Sequence, residues 1–166
     1  MHTRVSILSS LVHKIVSGGQ TGVDRAALDA AIALGIPHGG WCPQGRKAED
    51  GSIPEQYQLT EATSAEYAFR TEQNVVDSDG TLILYFGSMT GGTRLTWKMT
   101  KKHDRPCLTV DLRLEDFDAM VDGTRGWIEH CSIDVLNVAG PRETSIPGIG
   151  IMAGEFLTLV LDDEFE

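Results

Sequence analysis

The stretch Lys14-Ile15-Val16-Ser17-Gly18-Gly19-Gln20-Thr21-Gly22-Val23-Asp24-Arg25 constrains the fold of this chain more than any other. An apolar run stops at a cluster of glycines, and a helical pattern begins at once. That order reads as a buried strand, a tight turn and a helix N-terminus. Gly18, Gly19 and Gly22 permit positive φ angles and close approach of the backbone to a ligand. The first N–H groups of the helix lack partners within it and carry the positive end of its dipole, so the turn suits an anion, most often a phosphate. On this reading Ser17, Gly18, Gly19, Gln20, Thr21, Gly22 and Arg25 form the first part of a ligand site. The competing reading is a self-capped connection, with Thr21 and Asp24 at the spacing of a capping box. A cap accounts for those two residues but not for the three glycines. No Lys-Ser or Lys-Thr pair follows, which excludes the P-loop, and G-G-x-x-G meets the dinucleotide fingerprint only in part.

Two further junctions of the same design lie downstream. Thr81 to Phe86 is an apolar run suited to a sheet covered on both faces, and it ends in Gly87-Ser88-Met89-Thr90-Gly91-Gly92-Thr93 before a helix with Leu95 and Met99 one turn apart. Asp134 to Ala139 predicts the last strand. It runs into Gly140-Pro141-Arg142-Glu143, and Pro147-Gly148 then precedes an apolar helix over Ile151 to Leu161. Helices are also expected over Val23 to Leu34, with Ala27, Leu28, Ala31 and Ile32 inward, over Glu66 to Asp77, and over Phe117 to Cys131. Cys107 to Leu112 reads as a strand and Tyr57 to Ala62 as a short one. Between His38 and Gly51 the chain begins as a short strand and then loses any period. A loop of that length in a compact domain is functional or mobile. Within it Arg46 can reach an anion, Lys47 belongs on the surface, Trp41 stacks on a flat ring or folds inward, and Cys42 has no neighbour to make it reactive. Arg70, Glu72 and Asn74 of the helix over Glu66 to Asp77 are expected at the surface or an interface, with the alternative that Asn74, near its end, faces the ligand.

Strands alternating with helices imply an α/β fold with a mostly parallel sheet flanked by helices in three layers. Ligands of such sheets sit at the carboxyl ends of the strands, where all three glycine junctions fall. The 166 residues suit a single domain (1–166), with an N-terminal extension over 1–11 and an acidic tail over 162–166. No apolar run is long enough for a membrane span, no secretory leader is expected, and three scattered cysteines suit a reducing cytoplasm rather than disulfides or a zinc ribbon. The net charge of −10 opposes nucleic acid as a partner, whose phosphates require clustered Lys and Arg. An anionic small molecule must then be held by local donors in an enclosed site.

These motifs together resemble the molybdenum carrier family, a branch of the Rossmann-like superfamily that includes the LOG proteins. The resemblance spans about residues 12–161 and rests on Ser17 to Arg25, Trp41-Cys42-Pro43 with Glu49-Asp50-Gly51, Thr71-Glu72 with Asn74, Thr90 to Thr93, and Asn137 to Glu143. It implies a Rossmann-like domain, a homo-oligomer (dimer or tetramer), and binding of molybdenum cofactor, a phosphate-bearing pterin, or of a nucleotide, with no directly coordinated metal. The related LOG enzymes release base from nucleoside monophosphates with a P-G-G-x-G-T-x-x-E motif. The similar stretch here has Leu95 and Thr96 where the acid is sought, so the phosphate cradle is kept and the acid is absent.

A binding protein, a carrier or a sensor for a phosphorylated heterocycle, is therefore expected ahead of an enzyme. Gly87, Thr90, Gly91, Gly92, Thr93, Gly140, Pro141, Arg142 and Glu143 complete its expected site, with Arg142 and then Arg25 as guanidinium contacts to phosphate. Their bland alternatives are surface pairs with Glu143 and Asp29. Three or four charge-assisted bonds give about 5–12 kcal/mol before association costs, which leaves a gap for a ring stacked on Trp41 or Tyr85. Glu143 and Asp24 are the candidate catalytic carboxylates of an alternative nucleotide hydrolase, and a non-binding scaffold is the third reading.

Overall fold

The computed structural model describes residues 10–64, 66–113 and 116–163. Most of the expected N-terminal extension and of the acidic tail lies outside them. The apolar runs become the strands β1 (Lys14–Val16), β7 (Gly80–Tyr85), β8 (Cys107–Asp111) and β9 (Val135–Ala139), joined by the short edge strand β2 (His38–Gly39). They form one sheet in the order β2-β1-β9-β7-β8, parallel throughout. Counted from β7, that order is 2-1-3-4-5, a doubly wound arrangement whose switch point lies between β7 and β9.

The helices are α1 (Val23–Leu34), α2 (Tyr67–Val76), α3 (Gly91–Lys102), α4 (Phe117–His130) and α5 (Ile149–Leu161). On one face α5 packs against α1 and α4; on the other α2 packs against α3. Leu82, Ile83 and Leu84 of β7 are fully buried, as a strand covered on both sides requires. The main core joins Leu84, Leu136 and Val138 of the sheet to Ala27, Ala31, Phe156 and Leu157 of the helices. Small side chains on α1 let it approach the sheet, but Ile32, expected on that inward face, is 44% exposed. On α3 the buried residues are Thr93, Thr96 and Thr100 rather than Leu95 and Met99. The Thr96 and Thr100 hydroxyls donate back to the helix carbonyls of Gly92 and Trp97, which makes these threonines tolerable inside.

The aperiodic stretch after β2 is folded, not loose. Trp41–Cys42 (β3) pairs with Thr60–Glu61 (β6), and Lys47–Ala48 (β4) forms a small antiparallel pair with Gly51–Ser52 (β5). Beneath them Leu28, Cys42, Ile53 and Tyr57 make a second core. Arg46 donates to the carbonyls of Ile53, Pro54 and Tyr57, so it binds its own loop rather than an anion. Burial pushes the Cys42 thiol up, in line with an inert cysteine.

Candidate functional site

At the carboxyl ends of β7 and β9, the two strands send their following helices to opposite faces of the sheet. A cleft of about 120 Å³ opens there. Its walls come from all three glycine junctions: Gly18, Gln20 and Asp24 from the first, Thr90 to Thr93 from the second, and Gly140 to Arg142 from the third. Arg70, Thr71 and Asn74 of α2 close the side.

The donors of the three junctions are not equally available. The N-cap of α1 is Gly22, with no side-chain cap, so Thr21 and Asp24 do not form the capping box their spacing suggests. The N–H of Val23 donates to the carbonyl of Pro141 instead. Asp24 turns its carboxyl toward the backbone amides of Gln20 and Gly140, which takes up donors of the first and third turns. Glu143 accepts from the N–H groups of Gly148 and Gly150 at 2.6 and 3.0 Å and so fills the N-terminus of α5. That leaves α3. Its N-cap, Thr90, makes no side-chain cap bond, and the first helical bond closes only at Arg94 N–H to Thr90 O. The preceding amides, of Gly91, Gly92 and Thr93, open at the cleft.

Two guanidinium groups share this space. Arg70 is 5% exposed, and Arg142, at the outer lip, faces Glu49 at 3.9 Å. Glu49 in turn accepts from Thr21 Oγ1, Thr144 N–H and Thr144 Oγ1, and so ties the folded loop to the third junction. Desolvation would raise the Glu49 carboxyl, but bonds from Thr144 and Thr21 outweigh it and hold the group below its usual range.

Several expected contacts are spent elsewhere. Arg25 pairs with Asp50 and donates to the Gly19 carbonyl, and so faces neither the cleft nor Asp29. Ser17 is fully buried and donates to the Val138 carbonyl. Thr21 serves Glu49 and the Glu143 amide, Gly19 lies against Leu59 and Ile53, and Gly87 donates to Asp111. Trp41 is edge-on to Phe69, and its indole donates to Asp77 at 2.8 Å. Neither Trp41 nor Tyr85 lines the cleft, and no aromatic ring does among the described residues. Asn74 lines it and also clamps both backbone groups of Trp41. Arg70, expected at the surface or at an interface, is instead buried in the cleft wall. Its signal was the four-residue spacing to Asn74, which puts both polar side chains on one face of α2.

Asp24 is the one carboxyl in the cleft wall among the described residues. Burial raises it to about 7, against the opposing pull of Arg70, the Gln20 and Gly140 amides and Arg25. The native state therefore holds a proton that the unfolded chain has already lost. Its contribution to stability is present below the ordinary value of 3.8 and disappears as pH rises toward 7. Asp24→Asn is expected to stabilise the fold relative to wild type more at pH 8 than at pH 4. Urea midpoints of the two proteins across that range check it, and a constant difference would refute it.

The profile of the circularly permutated YpsA SLOG family matches residues 15–161. A crystal structure of a putative molybdenum carrier protein from Syntrophus aciditrophicus SB is 45% identical to the chain. That match covers 92% of this chain and 96% of the other, with a TM-score of 0.89. Among curated proteins none matches.

Proposed function

Because this chain belongs to the circularly permuted YpsA SLOG family, we propose that it is a carrier that grips the phosphate of a phosphorylated heterocycle of the molybdenum-cofactor class. One observation carries the reading: the uncapped N-terminus of α3 opens into a cleft walled by Arg70 and Arg142. Amide donors and guanidinium groups are the usual partners of a phosphate, and a helix N-terminus adds its dipole. The similarity to a protein named as a molybdenum carrier supports the class of ligand.

The fit is to the phosphate and not to the whole cofactor. Pockets that enclose a drug-sized ligand run to about 300–1,000 Å³; this cleft, at about 120 Å³, suits an oxyanion head group. With no aromatic ring in the wall among the described residues, a pterin would project outward past Arg142. Among the described residues no group of three His, Cys, Asp or Glu side chains could hold a metal. Molybdenum cofactor, when bound, would supply its own metal and pterin chemistry to a recipient enzyme. This chain's part is to hold the phosphate with Arg70, Arg142 and the amides of Gly92 and Thr93.

Hydrogen bonds to charged groups contribute roughly 1.5–3 kcal/mol each, so Arg70→Met is expected to weaken phosphate-ester binding by about 10- to 100-fold. Arg142→Ala, on an exposed side chain, should lose about tenfold without disturbing the fold. Calorimetric titration with a pterin phosphate or a nucleoside monophosphate measures both. Unchanged affinity in the two variants would sink the reading.

Asp24 favours a second reading, a hydrolase of nucleotide bonds, since a carboxyl near 7 in a phosphate cleft is suited to proton transfer. Against it, the α3 position where the LOG enzymes have an acid presents Thr96, whose hydroxyl is bonded to Gly92. Glu143 is held on the α5 amides. Release of base or phosphate from nucleoside monophosphates, abolished in Asp24→Asn, would favour the hydrolase over the carrier.

A further inference from the structure

We propose that Asp24 sets which oxyanions the cleft accepts: it shares one proton with the bound group, so that an anion and a proton are taken up together. The inference rests on the oxyanion reading above and adds the chemistry that selects among anions. Its basis is geometric. Asp24 is 9% exposed and lines the cleft beside Arg70. A methyl group built on Gly18 would lie 2.9 Å from Arg70 Nη1 and 3.0 Å from Asp24 Oδ2. The cation and the acid therefore meet over one bare Cα, and an oxyanion seated beside Arg70 has the Asp24 carboxyl as its neighbour.

An ionised carboxylate only accepts hydrogen bonds, and so does a fully deprotonated oxyanion. Two such groups in a shielded cleft repel, and a proton between them turns the repulsion into a hydrogen bond. The charged groups acting on Asp24 are Arg70 on α2 and Arg25 on its own helix, while Arg142 after β9 lines the same cleft. Glu49 and Glu143, carboxylates on the packed loops, are bound to Thr21 and Thr144 and to the α5 amides. No histidine or second carboxyl lines the cleft among the described residues. The shared proton therefore has one site on the protein. Burial keeps it there to about pH 7.

A phosphate monoester loses its second proton near pH 6, so it can supply the shared proton itself. Sulfate carries none at neutral pH and depends wholly on Asp24. That makes sulfate the cleaner probe, since its own charge is constant over the range tested. In wild type its affinity is expected to be level below about pH 7 and to fall about tenfold per pH unit above it. Calorimetry in two buffers of different ionisation enthalpy should count about one proton taken up at pH 8. Asp24→Asn, whose amide donates but does not titrate, should bind sulfate with the same affinity at pH 6 and pH 8.5. Sulfate binding in wild type that is level to pH 8.5 with no proton uptake overturns the proposal while leaving the oxyanion cleft standing. Absence of binding by both sulfate and a phosphate monoester at every pH overturns the cleft reading and this one with it. Should Asp24→Asn not fold, the proton count on wild type decides alone.

Discussion

Gly22→Ala is expected to cost the fold about 3–5 kcal/mol, with a matching fall in the urea midpoint and little change in its slope. Gly22 has φ +80°, where a Cβ is strained by itself. A Cβ there would also lie 2.8 Å from Glu143 N and 2.9 Å from Arg142 C, and closer still to the Pro141 carbonyl oxygen. These are backbone atoms, so no rotamer change relieves the clash. The same carbonyl accepts from the N–H of Val23, so the first and third junctions are pressed together and a displacement there would disturb the cleft. Gly35→Ala supplies the comparison. Gly35 also has positive φ, at +69°, but nothing lies within 4 Å of its added Cβ, so only the conformational part, about 1–2 kcal/mol, should be lost. Equal losses in the two variants would show that close packing at Gly22 contributes nothing.

Glu143→Ala is expected to destabilise the protein by about 2–4 kcal/mol, because two charge-assisted hydrogen bonds are lost and their amides are left partly buried. Glu143 bridges Gly148 and Gly150 across the first turn of α5, and a Cβ on Gly150 would lie 3.0 Å from Glu143 Oε2. α5 carries Phe156 and Leu157, both fully buried, so loosening its start is felt in the main core. Thermal or chemical denaturation of the variant checks this. An unchanged stability together with loss of any turnover would return Glu143 to the catalytic role considered from its place in the motif.

The sheet was legible because its strands are read from composition along short windows. Thr81 to Phe86 is apolar on both faces, and Val23 to Leu34 starts and stops at glycines, so their limits shift by at most a residue in the structure. The meeting of the three junctions at one rim was also legible, since a parallel sheet brings every strand-to-helix turn to the same edge. What the sequence could not indicate is which donors stay open. Asp24 and Glu143 read equally well as ligand contacts and as stoppers. Asp24 is turned by the amide of Gly140, over a hundred residues on, and Glu143 by the Gly148 and Gly150 amides at the start of α5. Arg25 and Trp41 were misread for the same reason. Each pairing involves the stretch with no periodicity: Arg25 meets Asp50 within it, and Trp41 reaches from it to Asp77 at the end of α2. Arg70 was hidden by its setting, an ordinary polar helix whose buried side appears only once α3 lies beside it.

The position of β9 bears on how the molecule is made. Synthesised last among the strands, it enters between two that come earlier: Ile15 pairs with Leu136, and so does Gly80. Until it arrives, β1 and β7 each display an unpaired ribbon of peptide groups, the kind of edge that recruits foreign chains. Closing that gap joins residues about 120 apart, an ordering cost met late in assembly. Newly made chains are thus at their most adhesive just before completion, and a cell producing them has reason to keep them dilute or chaperoned.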